Sequence, residues 1–312
     1  MVNTDGILPL IKPAGPSSHD MVYRLRKILP DKKIGHSGTL DPFAEGILLM
    51  GIGKGTRILE YYGAFSKVYI LTLILGVVTD TYDITGNIVE ENECLASPEQ
   101  ISETVLSFKG DYLQVPPMYS AKKYNGKKLY DLARKGKIIS MPPKKVEIKN
   151  LEILDISIPE VTLMAEVSGG TYLRSLAADI GFQLGCGAVA KKLVRVSNCG
   201  FSVDNAVTID SETEKGEILK KVVSLEDALP FFPKLILIEG EKENILNGRQ
   251  IFTEMVYSVE EDFEKDALIR ILSFEGEMLA IAKSERRSGF VRTLMENKVS
   301  ERVAALSKVL GY

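Results

Sequence analysis

The run VYILTLILG at 68–76 is apolar, β-branched and aromatic, and the turn-rich TDTYDITG follows it at 79–86. Nine such residues read as a β-strand and fall far short of the ~18 that a membrane span needs. No other window of the chain comes near that length. The rest of the pattern therefore decides what the strand is buried against. Residues 20–29 (DMVYRLRKIL) carry Met21, Val22, Leu25, Ile28 and Leu29 at helical spacing, with Ser17 and Ser18 as caps and Pro30 as the stop. NIVEE at 87–91 reads as a short strand, and Ser97-Pro98 opens a second helix to about Phe108. Residues 148–156 and 160–167 read as strands joined by a turn at Ser157–Pro159. Ser168-Gly169-Gly170 leads into a helix, TYLRSLAADIGFQLG, ended by Gly181 or Gly185. These elements follow no regular βαβ period. That predicts an α+β fold with a mixed, mainly antiparallel sheet flanked by helices rather than a doubly wound one.

The two prolines of LPFFPKLILIEG (229–240), after an acidic helix, predict a domain junction. We take the domains as 1–230 and 231–312. The tail has a hairpin signal in two β-rich arms around Phe274-Glu275-Gly276-Glu277, which predicts a small β domain.

Net charge is −3 and the pI near 5.7, which taken alone argues mildly against a nucleic-acid partner. Distribution argues the other way. Between 122 and 149 lie ten lysines and arginines, among them Lys122, Lys123, Lys127, Lys128, Arg134 and Lys135, opposed by Asp131 and Glu147 alone. Such a run is either a solvated face or a phosphate-binding segment. Three cysteines in no metal-ligand spacing and only two histidines predict a reduced compartment and no multi-histidine metal site. The N-terminal residues lack a basic region followed by a long apolar core, so we expect no signal peptide and a cytoplasmic protein.

Three stretches invite a chemical reading. GIGKGT at 51–56 has neither dinucleotide nor P-loop spacing, so no nucleotide cofactor is expected. SSHD at 17–20 groups a serine, a histidine and an aspartate, but a hydrolytic triad needs side chains converging from separated segments, and a helix start explains these residues. GHSGTLDPF at 35–43 puts His36 and the lone carboxylate of Asp41 between bend-permitting glycines and Pro42. From the residues alone, Asp41 is either a turn-capping carboxylate or a catalytic one held by a cation, for which Arg174 is the candidate.

The chain resembles the TruB-type tRNA pseudouridine synthases. The resemblance rests on KPAGPSSHDMV (12–22), KIGHSGTLDPFAEGILLMGIGKGTR (33–57), Lys67-Val68-Tyr69, LGVVTDTYDITG (75–86), QVPPMYSAKKYNGKKLYDLARKG (114–136) and SGGTYLRSLAADIG (168–181). The 119–136 stretch looks like the stand-alone bacterial type, and the tail, through LNGRQI (246–251) and its hairpin, looks like a PUA-type RNA-binding domain. The resemblance implies isomerisation of uridine 55 in the T loop of tRNA after base flipping, by a monomer that needs no cofactor, metal, guide RNA or protein partner. The basic insertion and the terminal β domain raise a second reading, an RNA-binding or tRNA-folding role that does not depend on isomerisation, and the two are compatible. The resemblance also implies that Asp41 is the catalytic carboxylate, through attack on C6, attack on C1′, or removal of the C2′ proton. Tyr69 would stack on the uracil, Arg174 would pair with Asp41, His36 would hold the opened loop, and Leu193 would wall the pocket. The basic 122–149 insertion, with Tyr124 and Tyr130 interleaved, would clasp the T-arm stem-loop.

Overall fold

The computed structural model describes residues 5–118, 123–124, 127–128, 141–210 and 212–311. The chain folds into two compact units. One comprises Leu8–Met50 and Leu59–Lys221; the other is built from Val222 onwards, with Gly51–Ile58 and the segment ending at Ile7. Within the second of these, Gly6 and Ile7 pair antiparallel with Ser224 and Val223.

The first unit is organised on a mixed sheet, two of whose strands begin or end in residues of the other unit, Gly6–Ile7 and Gly51–Ile52. Its strands run Val207–Thr208, Gly6–Lys12, Glu45–Ile52, Ala188–Asn198, Lys67–Leu75, Glu160–Val167, Lys144–Ser157 and Gly110–Gln114. The 6–12 strand pairs parallel with 207–208, and 188–198 pairs parallel with 45–52. From 188–198 onward every pairing is antiparallel. The expected α+β architecture is therefore the observed one.

Register decides which face of the central strand is buried. Along Lys67–Leu75 the buried residues are Lys67, Tyr69, Leu71, Leu73 and Leu75, alternating with half-buried neighbours. The period of two sends that row to one face, where Leu71 and Leu73 are fully enclosed. Burying each such leucine contributes roughly 1.5–3 kcal/mol. Lys67 and Tyr69 share the face, so a polar end of the strand is carried into the interior beside its apolar end.

Three helices complete the frame around the site. Helix α1 (Ser18–Ile28) has Ser17 as its N-cap in a capping box with Asp20, and it buries Met21, Val22 and Leu25. Helix α2 (Pro98–Ser107) has the same device at Ser97 and Gln100, with Pro98 in its first turn. Helix α3 (Leu173–Gln183) packs on the core through Leu173, Leu176, Ala177 and Ile180. Of the two glycines expected to end α3, Gly185 does so, in the left-handed region at φ +79°. Gly181 lies inside the helix. A Cβ there would stand 2.1 Å from the Ala188 backbone nitrogen, so the glycine sets how closely α3 meets the strand that follows it.

In the second unit a six-stranded sheet runs Ile251–Phe252, Arg302–Val309, Met278–Ser284, Leu268–Leu272, Lys234–Leu237 and Val256–Val259. Its two end strands are separated in sequence only by the turn Thr253–Met255, so the sheet curls round toward closure. Leu235, Ile251, Ile269, Ile271, Leu279 and Val303 fill its interior. The expected hairpin is present, pairing 268–272 with 278–284.

Candidate active site

The loop after strand Ile34–Ser37 carries Asp41, and its flanks are tied down on both sides. Gly38 turns the chain at φ +69°. The Ser18 hydroxyl donates to the Leu40 carbonyl (3.0 Å) and accepts from the Leu40 amide (2.9 Å). On the far side, the Pro42 carbonyl accepts from the Gly15 amide at 2.8 Å and from the Lys12 ammonium at 3.2 Å. Lys12 is fully enclosed and donates also to the Pro13 and Pro16 carbonyls at 2.9 and 2.7 Å. Burial pulls its pKa down to about 8, with Asp41 acting against that pull. The KPAGPSS stretch thus works as a bracket for the carboxylate. Ser18, expected only to start a helix, is part of that bracket.

Asp41 faces Arg174 from the first turn of α3. Arg174 Nε lies 2.8 Å from one carboxylate oxygen, and Nη2 donates to the other at 3.2 Å. This fork combines an ion-pair contact at Nε with a hydrogen bond from Nη2, and together they fix the plane of the carboxylate as well as its place. The remaining edge of the guanidinium donates through Nη1 to the Thr81 carbonyl at 2.8 Å and to Asp83 at 3.2 Å. Asp83 is itself saturated: it accepts from the Thr81 hydroxyl (3.0 Å) and from the Thr85 amide (2.9 Å) and hydroxyl. One buried cation therefore serves two carboxylates of different exposure, 34% for the Asp41 side chain against 5% for Asp83. Burial pushes the Asp41 carboxyl above its ordinary value, Arg174 opposes the push, and Asp83 adds to it.

Asp41 opens into a cavity of about 440 Å³ whose lining includes Tyr69, Gln114, Tyr172, Arg174, Leu193 and Arg195. That volume lies in the range of small-ligand sites, roughly 300–1,000 Å³. Tyr69 is held by register, opposite Ala165 on one neighbouring strand and Arg195 on the other. Its hydroxyl accepts a long hydrogen bond, 3.4 Å, from Arg195 Nη1. Arg195 is 1% exposed and donates to the Ile47 and Gly38 carbonyls at 2.7 and 2.9 Å. Lys67 donates to the carbonyls of Tyr62, Gly63 and Phe65; burial lowers its pKa to about 8 and Arg195 adds repulsion. On the opposite wall, the Gln114 side-chain amide pairs with the backbone of Tyr172, accepting from its amide at 2.7 Å and donating to its carbonyl at 3.0 Å. That pairing fixes the residue that caps α3 and so the start of the helix that carries Arg174.

The structure thus brings together Asp41, Tyr69, Arg174 and Leu193 from four separate segments. His36 lies on the 34–37 strand outside the residues that line the cavity. Its Nδ1 is buried without a hydrogen-bond partner among the described residues, and burial lowers its pKa. Lys122, Arg134 and Lys135 lie outside the described residues. Of Lys123, Lys127 and Lys128 the backbone is described: Lys123–Tyr124 pairs antiparallel with Lys127–Lys128. Lys12, Asp83, Gln114 and Arg195 escaped the sequence reading. Arg195 did leave a signal there, as a single cation in the otherwise apolar LVRV.

Residues 26–173 match the N-terminal domain of the TruB family pseudouridylate synthases. A protein of Thermotoga petrophila named tRNA pseudouridine synthase B is 46% identical over 306 residues, 98% of either chain. The chain belongs to the TruB family. A second family member of the same name, from Clostridium acetobutylicum, is 41% identical over 247 residues, 79% of this chain and 85% of that one. The chain is accordingly an isomerase of the pseudouridine-forming kind. The family fold also extends to a solved structure of an H/ACA RNP bound to a substrate RNA containing 2′-deoxyuridine. There the TM-score is 0.74 at 22% identity, covering 99% of this chain and 86% of that one.

Proposed function

We propose that the chain converts uridine 55 in the T loop of tRNA to pseudouridine, acting alone, with Asp41 as the catalytic carboxylate. The observation that carries this reading is the Asp41–Arg174 fork, open to a cavity walled by Tyr69 and Leu193. The reaction breaks N1–C1′, turns the uracil and forms C5–C1′. The proton on C5 leaves, N1 takes one up, and the atoms balance without a redox partner. A uridine in a folded loop has to leave its stack before that bond can be reached, at a cost of a few kcal/mol. An aromatic face recovers part of that cost, about 1–3 kcal/mol per stacked base, and Tyr69 supplies the face. Arg174 favours the charged form of a carboxylate whose pKa burial raises. The bracket of Lys12, Gly15 and Ser18 fixes the backbone on both sides of Asp41, so the carboxylate is positioned before the nucleotide arrives. The 122–149 insertion serves as a clasp on the T arm, and the second unit, with its curled sheet, as a PUA-type RNA-binding domain.

The test is to map pseudouridine in a tRNA transcript by carbodiimide treatment and reverse-transcription stops. The reading expects one new stop, at position 55, after incubation with the wild type and none with Asp41→Asn. Stops elsewhere would overturn the site assignment, and a stop with Asp41→Asn at the wild-type rate would overturn the role of Asp41.

A further inference from the structure

The exposed side of α1 and the turn after it form a basic surface beside the Asp41 loop. Residues 19–33 hold Arg24, Arg26, Lys27, Lys32 and Lys33 against Asp20 and Asp31, in a chain whose net charge is −3. The buried stripe of α1 takes Ser18, Met21, Val22 and Leu25, which leaves Tyr23, Arg24, Arg26 and Lys27 on the solvent side. Tyr23 is 59% exposed, and the Lys27 ammonium stands 4.7 Å from its ring centroid. One of the two carboxylates is already engaged, since Asp20 accepts from the Ser17 amide and hydroxyl at 2.8 Å each.

This face is joined rigidly to the cavity rim. Arg26 Nη2 donates to the Ile34 carbonyl at 3.1 Å, which fixes α1 against the strand that leads into the rim residues Gly38 to Asp41. Ser18, the first residue of α1, is doubly bonded to Leu40. The helix that carries these exposed cations is thus tied at both its start and its last turn to the segment that forms the rim.

We propose that the α1 face, through Arg24, Lys27 and Lys33, binds phosphates of the substrate RNA that flank the nucleotide in the cavity. This rests on the tRNA reading above. The occupant follows from charge complementarity: a positive surface on a net-negative protein attracts a polyanion, and each phosphate neutralised releases counterions.

The experiment uses the full chain and a fluorescent tRNA transcript. Anisotropy gives Kd between 50 and 300 mM salt for the wild type, for Arg24→Glu/Lys27→Glu, and for a control pair of equal charge change on another surface, Lys215→Glu/Lys220→Glu. Circular dichroism checks that each variant folds. A milder pair, Arg24→Gln/Lys27→Gln, stands in should the reversal disturb the helix. The proposal expects the α1 pair to raise Kd by roughly tenfold or more at low salt and to flatten the slope of log K against log salt by about 1–2, near the ~0.9 expected per lost phosphate contact. It expects the control to bind as the wild type does, and KM to rise with Kd while kcat at saturating RNA stays within about twofold. An unchanged Kd and slope overturn it, as does equal weakening by the control. The two readings fail separately. A wild type that binds tRNA but never isomerises it refutes the function, whereas normal turnover with no effect of the α1 pair refutes this surface alone.

Discussion

Replacing each of the two carboxylates on Arg174 by its amide separates what the pair does for stability from what it does for chemistry. Asp83 is 5% exposed, with donors on both oxygens: Thr81 and Thr85 on one, Arg174 on the other. In Asp83→Asn, whichever way the amide turns, its NH2 group faces a donor. Removing one partner of a buried ion pair costs about 3–5 kcal/mol where the other charge is left unpaired, an upper bound here because Arg174 keeps Asp41. For a unit of this size that lowers Tm by on the order of 10 °C. Asp41 is 34% exposed and opens on the cavity, so the amide of Asp41→Asn can turn toward water. Its cost is about 1 kcal/mol or less. The sign of the pKa shift agrees. A carboxyl raised in the folded state contributes stability below its unfolded pKa and loses it as pH rises through the folded one, so at neutral pH the Asp41 charge is a burden that the amide removes. Urea titrations at pH 7, with turnover measured in parallel, check this. The expected result is a large stability loss for Asp83→Asn, near-wild-type stability for Asp41→Asn, and loss of turnover in both. Equal stability of the two variants would refute the claim that Asp83 anchors the guanidinium.

Other outcomes follow from the same geometry. The acid limb of kcat against pH should lie above the ordinary aspartate value, and Arg174→Lys should move it higher by replacing the fork with a single contact; a limb at or below that value would remove Asp41 as the titrating group. Gly181→Ala should cost about 1–3 kcal/mol or more, since its Cβ meets the backbone of Gly187 and Ala188 at 2.2 and 2.1 Å; a thermal melt like that of the wild type would show that α3 can shift freely. Tyr69→Phe should bind RNA normally, because the ring face is kept, and turn over more slowly if the hydroxyl acts at C5; unchanged kinetics would leave Tyr69 as a stacking platform alone.

What the sequence disclosed and what it hid divide along physical lines. The 67–75 strand was legible because its run is rich in β-branched and aromatic residues; which face it buries was not, since Val68, Ile70 and Ile74 are half-buried while Lys67 is buried. Helix α1 was legible too, through caps and a stop that are local. The fork between Asp41 and Arg174 was legible as a pair of candidates, since a retained carboxylate needs a cation. Asp83 was not, because it sits in the polar TDTYDITG, where a turn explains every residue, and its cation lies 91 positions away. Lys12 and Arg195 were hidden for another reason. Their partners are mainly carbonyl oxygens, of Pro13, Pro16, Pro42, Gly38 and Ile47, and a backbone acceptor leaves no mark in a sequence. Gly181 passed for a helix terminator because a glycine required for close approach looks the same as one required for a turn.

In the proposed function, Asp41 performs chemistry at a tRNA uridine. The most direct measurement takes a tRNA transcript with tritium at C5 of every uridine and counts tritium released to water by the wild type and by Asp41→Asn. The predicted result is release equivalent to one uridine per tRNA with the wild type and none with Asp41→Asn, although both bind the RNA. Release by Asp41→Asn at even a per cent of the wild-type rate, or no release by a wild type that binds tRNA, would contradict it.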